Sequence, residues 1–251
     1  MMRFGLWWKD WCEKFMRKKR SGMEVSMKNN ILFSAREVSS KKSIGFGRKA
    51  FKLENINFAL PRGYIMGLVG KNGAGKTTFF DYIMDGKKRY SGELLLDDRE
   101  IHEDHLETLN QIGFVSEKNE FLDLRTAAQN VQMLSRFYSD FDKELFARTM
   151  ESFRVSRDKT VGKMSRGELM KFQLAFAIAH KPKLFLLDEA TAGMDPVFRI
   201  DFYRLLRELI QDESCSVILS THIEEEIEKQ LDYAGVLEDG RFVSFGEVQP
   251  A

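Results

Sequence analysis

At 251 residues the chain is long enough for one large α/β domain with a sizeable core, or for two small ones. A hydrophobic fraction of 43% and a charged fraction of 31% suit a globular protein, and a net charge of +1 gives the whole chain no electrostatic case for binding nucleic acid. Its two cysteines, Cys12 and Cys215, offer neither a disulfide framework nor a metal site, no apolar run approaches the roughly 20 residues of a membrane span, and charges at Arg3, Lys9, Asp10 and Glu13 interrupt any secretory signal.

Residues 1–30 form an extension of different character. Phe4, Trp7, Trp8, Trp11 and Phe15 recur at helical spacing, and seven Lys/Arg lie within the first 20 residues. This fits an interfacial amphipathic helix with its aromatics among lipid headgroups. It also fits an extension that packs weakly, with Met23 or Met27 as an alternative start.

From Ile31 apolar and polar residues alternate through Phe33 and Ala35, and again through Phe51, Leu53, Ile56, Phe58 and Leu60, as in half-buried antiparallel strands. Pro61-Arg62-Gly63 reads as a turn. Tyr64 to Val69 reads as a doubly covered strand, and a helix begins near Lys76. A strand pair follows around Gly92–Leu96 with Asp97-Asp98 as its turn. Residues 121–163 read as mainly helical, and a further helix runs from Arg166 to Ala179, closed by Pro182. Then come a buried strand at Leu184–Leu187, a helix at Phe198–Gln211, a strand at Val217–Leu219, a helix at Ile223–Gln230 and a hairpin turning at Glu238-Asp239-Gly240. Strands alternating with helices indicate an α/β fold around a largely parallel sheet.

Gly70-Lys71-Asn72-Gly73-Ala74-Gly75-Lys76-Thr77-Thr78 fits the phosphate-loop pattern G-x-x-x-x-G-K-[ST], with an apolar strand before it and a helix after. The glycines let successive backbone N–H groups turn inward on an anion, and the helix N-terminus adds its positive dipole end. Lys76 would set a point charge against the β- and γ-phosphates of ATP, and the Thr77 hydroxyl is a hard ligand for Mg²⁺. Downstream, Leu184–Leu187 delivers Asp188 and Glu189 to a strand's C-terminal end, where α/β folds hold their ligands. Two acids there also suit a solvated turn; with the phosphate loop upstream, Asp188 becomes a second Mg²⁺ ligand and Glu189 a general base for water. His222, just past the next strand, falls at the same sheet edge and is a candidate for contact with the γ-phosphate.

Together these residues resemble the ATP-binding-cassette (ABC) ATPase family over roughly 31–246. The resemblance implies a P-loop NTPase of ABC type: a mainly parallel core sheet with helices, an antiparallel β subdomain and a small helical subdomain inserted at about 121–180. Met164-Ser165-Arg166-Gly167-Glu168 occupies the place of the signature motif Leu-Ser-Gly-Gly-Gln, which in the family closes over ATP held by the opposite subunit. Ser165 and Gly167 match; Arg166 is a possible phosphate partner, whereas Glu168 adds negative charge near a polyanion. Ala192-Gly193-Met194-Asp195-Pro196 resembles the D-loop. Glu117 stands where the family usually has the Q-loop glutamine, from which a carboxylate could reach Mg²⁺ or its water. Phe46, between Gly45 and Gly47, is the candidate for stacking on adenine.

The resemblance further implies two partners: a second ABC ATPase subunit, identical or not, and a separate transmembrane permease subunit that holds the chain at the cytoplasmic face of the membrane. Phe121, Leu122 and Leu124 offer either a docking surface for the permease or packing for the helical insert. The variants at 117 and 165–167 resemble ATPases paired with ABC-2-type exporters. A regulatory subunit with weak turnover is an alternative, as is a soluble non-transport ABC ATPase; against the latter stand the single cassette and the lack of sustained heptads.

Overall fold

Residues 30–42, 52–191, 194–222 and 229–248 are described by a computed structural model. The N-terminal extension, Phe46, Ala192, Gly193 and most of the helix expected at Ile223–Gln230 lie outside these described residues.

In chain order the elements are β1 (Ile31–Ser40), β2 (Ile56–Pro61), β3 (Ile65–Val69), α1 (Lys76–Met84), β4 (Tyr90–Leu96), β5 (Arg99–Glu100), α2 (His105–Asn110), β6 (Ile112–Ser116), α3 (Ala127–Leu134), α4 (Lys143–Ser152), α5 (Arg166–Ala179), β7 (Leu184–Asp188), α6 (Pro196–Leu209), β8 (Ser216–Thr221), β9 (Tyr233–Glu238) and β10 (Arg241–Glu247). They build two sheets. One is antiparallel, in the order β2-β1-β4-β5; the other runs β10-β9-β3-β8-β7-β6. In the second sheet every neighbouring pair is parallel except β9 with β10. The mainly parallel core sheet and the separate antiparallel sheet are both as the sequence implies.

The parallel strands are buried on both faces, and their side chains alternate between two cores. Met66, Leu68, Leu186 and Ile218 point into a core shared with α1 and the antiparallel sheet, including Phe33, Phe58, Phe79 and Phe80. Ile65, Val69, Phe185, Leu187, Val217 and Leu219 point into a second core with α5 and α6. A third cluster joins α3, α4 and α5 around Phe146, Phe172 and Phe176, and forms the helical region.

Local chemistry sets the element ends. Asp97 and Asp98 both have positive φ, so the β4–β5 hairpin turns as a two-residue type I′ loop. Pro61 ends β2 instead of opening the turn, which an edge strand tolerates because it loses no ladder donor there. Gly92 has φ +87, and a Cβ on it would lie 2.4 Å from the Arg36 carbonyl oxygen, where β1 bulges between Ala35 and Val38. Two elements, α2 and β6, were not expected. Both are short, and β6 carries a glycine in the five-residue segment Ile-Gly-Phe-Val-Ser, too brief to show a period.

Candidate functional site

Register brings the candidate residues to one sheet edge. Val69 pairs with Thr221, Asp188 with Ser220, and Ser116 with Asp188, so the C-terminal ends of β3, β8, β7 and β6 lie side by side. The loop at 70–75, the acids at 188–189, His222 and Glu117 all leave from that edge.

The loop's glycines have distinct reasons. A Cβ on Gly70 would sit 2.4 Å from the backbone oxygen of Leu237, so the loop passes β9 only with no side chain there. Gly75 adopts φ +111 immediately before α1, a conformation that other residues resist. No side chain caps the α1 N-terminus and no acid lies in its first turn, which leaves that end as an anion site of amide donors and positive dipole.

Lys76 is 3% exposed. Its ammonium donates to the carbonyls of Gly70 at 2.7 Å and Lys71 at 3.2 Å, and lies 3.6 Å from Glu189 Oε1. Burial pulls its pKa below the ordinary lysine value, while Glu189 and Asp188 act against that shift.

The loop and the acidic pair meet directly. The Thr77 hydroxyl donates to Asp188 Oδ2 at 2.8 Å. The Ser220 hydroxyl donates to Asp188 Oδ1 at 2.6 Å and accepts the Glu189 N–H at 2.8 Å. Glu189 has φ +50, a strained conformation for a non-glycine residue that this hydrogen bond holds. Ser220 was not singled out in the sequence, although it lies in the same Leu219-Ser220-Thr221-His222 stretch. The available signal was its place two residues before His222, on the strand beside the acids. His222 itself is exposed at the end of β8.

The donor set suits Mg²⁺: one hydroxyl and one carboxylate, already adjacent, are the small protein contribution that this ion takes alongside water and phosphate oxygens. Among the described residues no group of three or more His, Cys, Asp or Glu could hold a metal by itself. Asn72 and Gly73 are exposed along the loop, Ala74 and Gly75 are buried, and Thr78 is half-buried.

Ser165, the N-cap of α5, is exposed, and a Cβ on Gly167 would meet nothing within 4 Å. The fold does not require a glycine there, and it leaves open space for close approach. Glu168 closes a capping box: its carboxylate accepts the Ser165 N–H at 2.8 Å and pairs with Lys159 at 2.7 Å, while Ser165 Oγ accepts the Glu168 N–H. The Lys159 ammonium, then the Ser165 N–H, hold the Glu168 carboxyl down to about 2. Its negative charge, which looked unfavourable beside a polyanion, is directed back into the helix cap. Glu117 is ion-paired with Arg166 rather than gathered into the Thr77–Asp188 contact. Among the described residues Gln173 also emerges: buried on α5, it accepts the Ser116 N–H and donates to the Ser116 and Lys118 carbonyls.

Comparison with known proteins places this geometry. Residues 53–192 match a family model described as ABC transporter. The chain is 32% identical over 187 residues to the ABC transporter ATP-binding protein YtrB of Bacillus subtilis, covering 74% of this chain and 64% of that protein. It is 29% identical over 193 residues to the bacitracin transport ATP-binding protein BcrA of Bacillus licheniformis, covering 76% and 63%. The match thus spans less than two thirds of the length of these relatives. Among solved structures it resembles an ATP-binding cassette determined as a dimer in a post-hydrolysis state with ADP and Pi, at TM-score 0.75 and 21% identity over 88% of this chain and 100% of that one. It also resembles cbiO1 of Clostridium perfringens, part of the transporter complex cbiONQ, at TM-score 0.70 and 22% identity over 87% and 89%.

Proposed function

Since the chain belongs to the ABC transporter family, as an ATP-binding domain of that family, we propose that it binds and hydrolyses MgATP to power a membrane transporter. The observation that carries this reading is the Thr77–Asp188 contact, which joins the phosphate loop to the acidic pair at one sheet edge. Thr77 and Asp188 would hold the Mg²⁺ of MgATP through these two side-chain oxygens. Mg²⁺, when bound, supplies charge neutralisation for the phosphates.

The chain's own residues perform the rest. The amides of the loop Gly70 to Thr78 cradle the phosphates, and Lys76 turns from the carbonyls of Gly70 and Lys71 to the β- and γ-phosphate oxygens. Glu189, held by Ser220 at the mouth of the site, orients water for attack on the γ-phosphorus and accepts its proton. His222 contacts the γ-phosphate side from the end of β8. Phe46 stacks on adenine. Ser165 and Gly167 close over the ATP of a second cassette, so that two chains, identical or related, sandwich two nucleotides.

The permease meets the chain at a groove of about 630 Å³ between α1, β6 and the helical region, lined by Met84, Leu109, Phe114, Phe121, Leu134 and Phe137. Phe121 faces inward on the rings of Phe172 and Phe176 at 4.6 and 5.0 Å, while Leu122 is 44% and Leu124 92% exposed beside it. The ring contacts of Phe121 support packing of the helical region, and the exposure of Leu122 and Leu124 leaves them open to a partner. The spanning part is assigned to a separate permease subunit; no helix among the described residues is long and apolar enough to cross a membrane. In this reading the permease holds the chain at the cytoplasmic face. The variants at 117 and 165–167 are the ground for reading the transporter as an ABC-2-type exporter. Phosphate release by the purified chain, alone and with the permease, tests the reading; no release in either setting refutes it.

A further inference from the structure

Two positions at which the signature-like and Q-loop-like motifs depart from the family pattern meet in space. Arg166 Nη2 pairs with Glu117 Oε1, and both side chains are about half exposed. Glu117 rides on backbone with little freedom. Ser116 before it lies beside Asp188 in the sheet, and buried Gln173 clamps Ser116 and Lys118 to α5. The backbone that carries Glu117 is therefore tied to α5, the helix that Arg166 opens.

That helix end is built for approach from outside. Ser165 is exposed, Gly167 leaves open space, and the competing charge of Glu168 is tied to Lys159 and the Ser165 N–H. A half-exposed arginine samples many rotamers, and fixing it in advance reduces the ordering cost when an anion binds. The guanidinium offers five donors in a rigid fork, so a carboxylate on one nitrogen orients the fork without using it up.

We propose that Glu117 is a positioning residue for Arg166, and that the pair presents Arg166 to the phosphate oxygens of a nucleotide held by a second cassette. This rests on the ATP-sandwich reading above. Glu117 would then act through Arg166 and across the dimer, not on its own chain's metal.

A double-mutant cycle tests it, with Arg166→Gly, Glu117→Ala and the double variant in the full chain. Binding of MgATP is followed by equilibrium titration and turnover by kcat and KM. Each single change should lower kcat by about tenfold, leave the MgATP Kd within about twofold, and the double variant should be no worse than Arg166→Gly. Multiplying losses in the double variant, wild-type kcat in either single variant, or a weakened MgATP Kd in Glu117→Ala would overturn the proposal. A wild-type chain that binds no MgATP refutes the parent reading and this one together. Turnover by the wild type with independent losses in the variants refutes this one alone.

Discussion

The Thr77 hydroxyl donates to the Asp188 carboxylate at 2.8 Å across 111 residues of sequence. One contact therefore reports that β3 and β7 deliver their loops to the same place. Replacing Asp188 with Asn keeps the shape and an acceptor for Thr77 but removes the charge that an incoming Mg²⁺ would meet. Asp188→Asn should lower turnover by about a hundredfold or more and shift the Mg²⁺ dependence to higher concentration. A magnesium titration of ATP hydrolysis reads both effects.

Ser220 serves both acids at once and is 1% exposed. Ser220→Ala leaves the Glu189 N–H and one Asp188 oxygen without their partner, at a cost of about 1–3 kcal/mol if no water replaces it. Thermal unfolding should show the loss. Turnover should fall with it, because the φ +50 conformation of Glu189 loses its hydrogen bond.

His180, at the C-terminal end of α5, is 4% exposed and packs on Tyr138 with ring centroids 4.4 Å apart. Burial pushes its pKa down to about 4. In the unfolded chain an ordinary histidine titrates near 6.5. Between these values the unfolded state binds more protons, so this contribution to stability is complete above pH 6.5 and declines as pH falls toward 4. The slope is about 1.4 kcal/mol per pH unit for one such group. Urea unfolding at pH 7 and pH 5 should show this decline, and His180→Phe should flatten it relative to wild type.

Much of the fold was legible because strong local signals mark its boundaries. The helix expected from Arg166 to Ala179 is α5 itself, bounded by the Ser165 cap and by Pro182 beyond its end. The start of α1 at Lys76 follows from the phosphate-loop pattern, and the acidic pair ends β7 as the apolar run implied. Asp97 and Asp98 turn the hairpin, as read. What escaped depends on tertiary placement. β6 is short and interrupted by glycine, and nothing local shows that Ser116 will lie against Asp188. Gln173 reads as one more residue of a helix until β6 is beside it. Glu168 reads as an awkward charge until Lys159 and the Ser165 N–H are seen to hold it. Arg166 and Glu117 each look like an isolated departure, and only folding makes them a pair.

The central claim is that the loop at 70–78 and the acids at 188–189 hold one MgATP and cleave it with Glu189 as base. Glu189→Gln tests it most directly, because the amide keeps the side chain's size and cannot take the proton. Incubated with MgATP and passed over a sizing column, this variant should release no phosphate, retain ATP and elute as a dimer. A Glu189→Gln chain that stays monomeric and still turns ATP over would contradict the account.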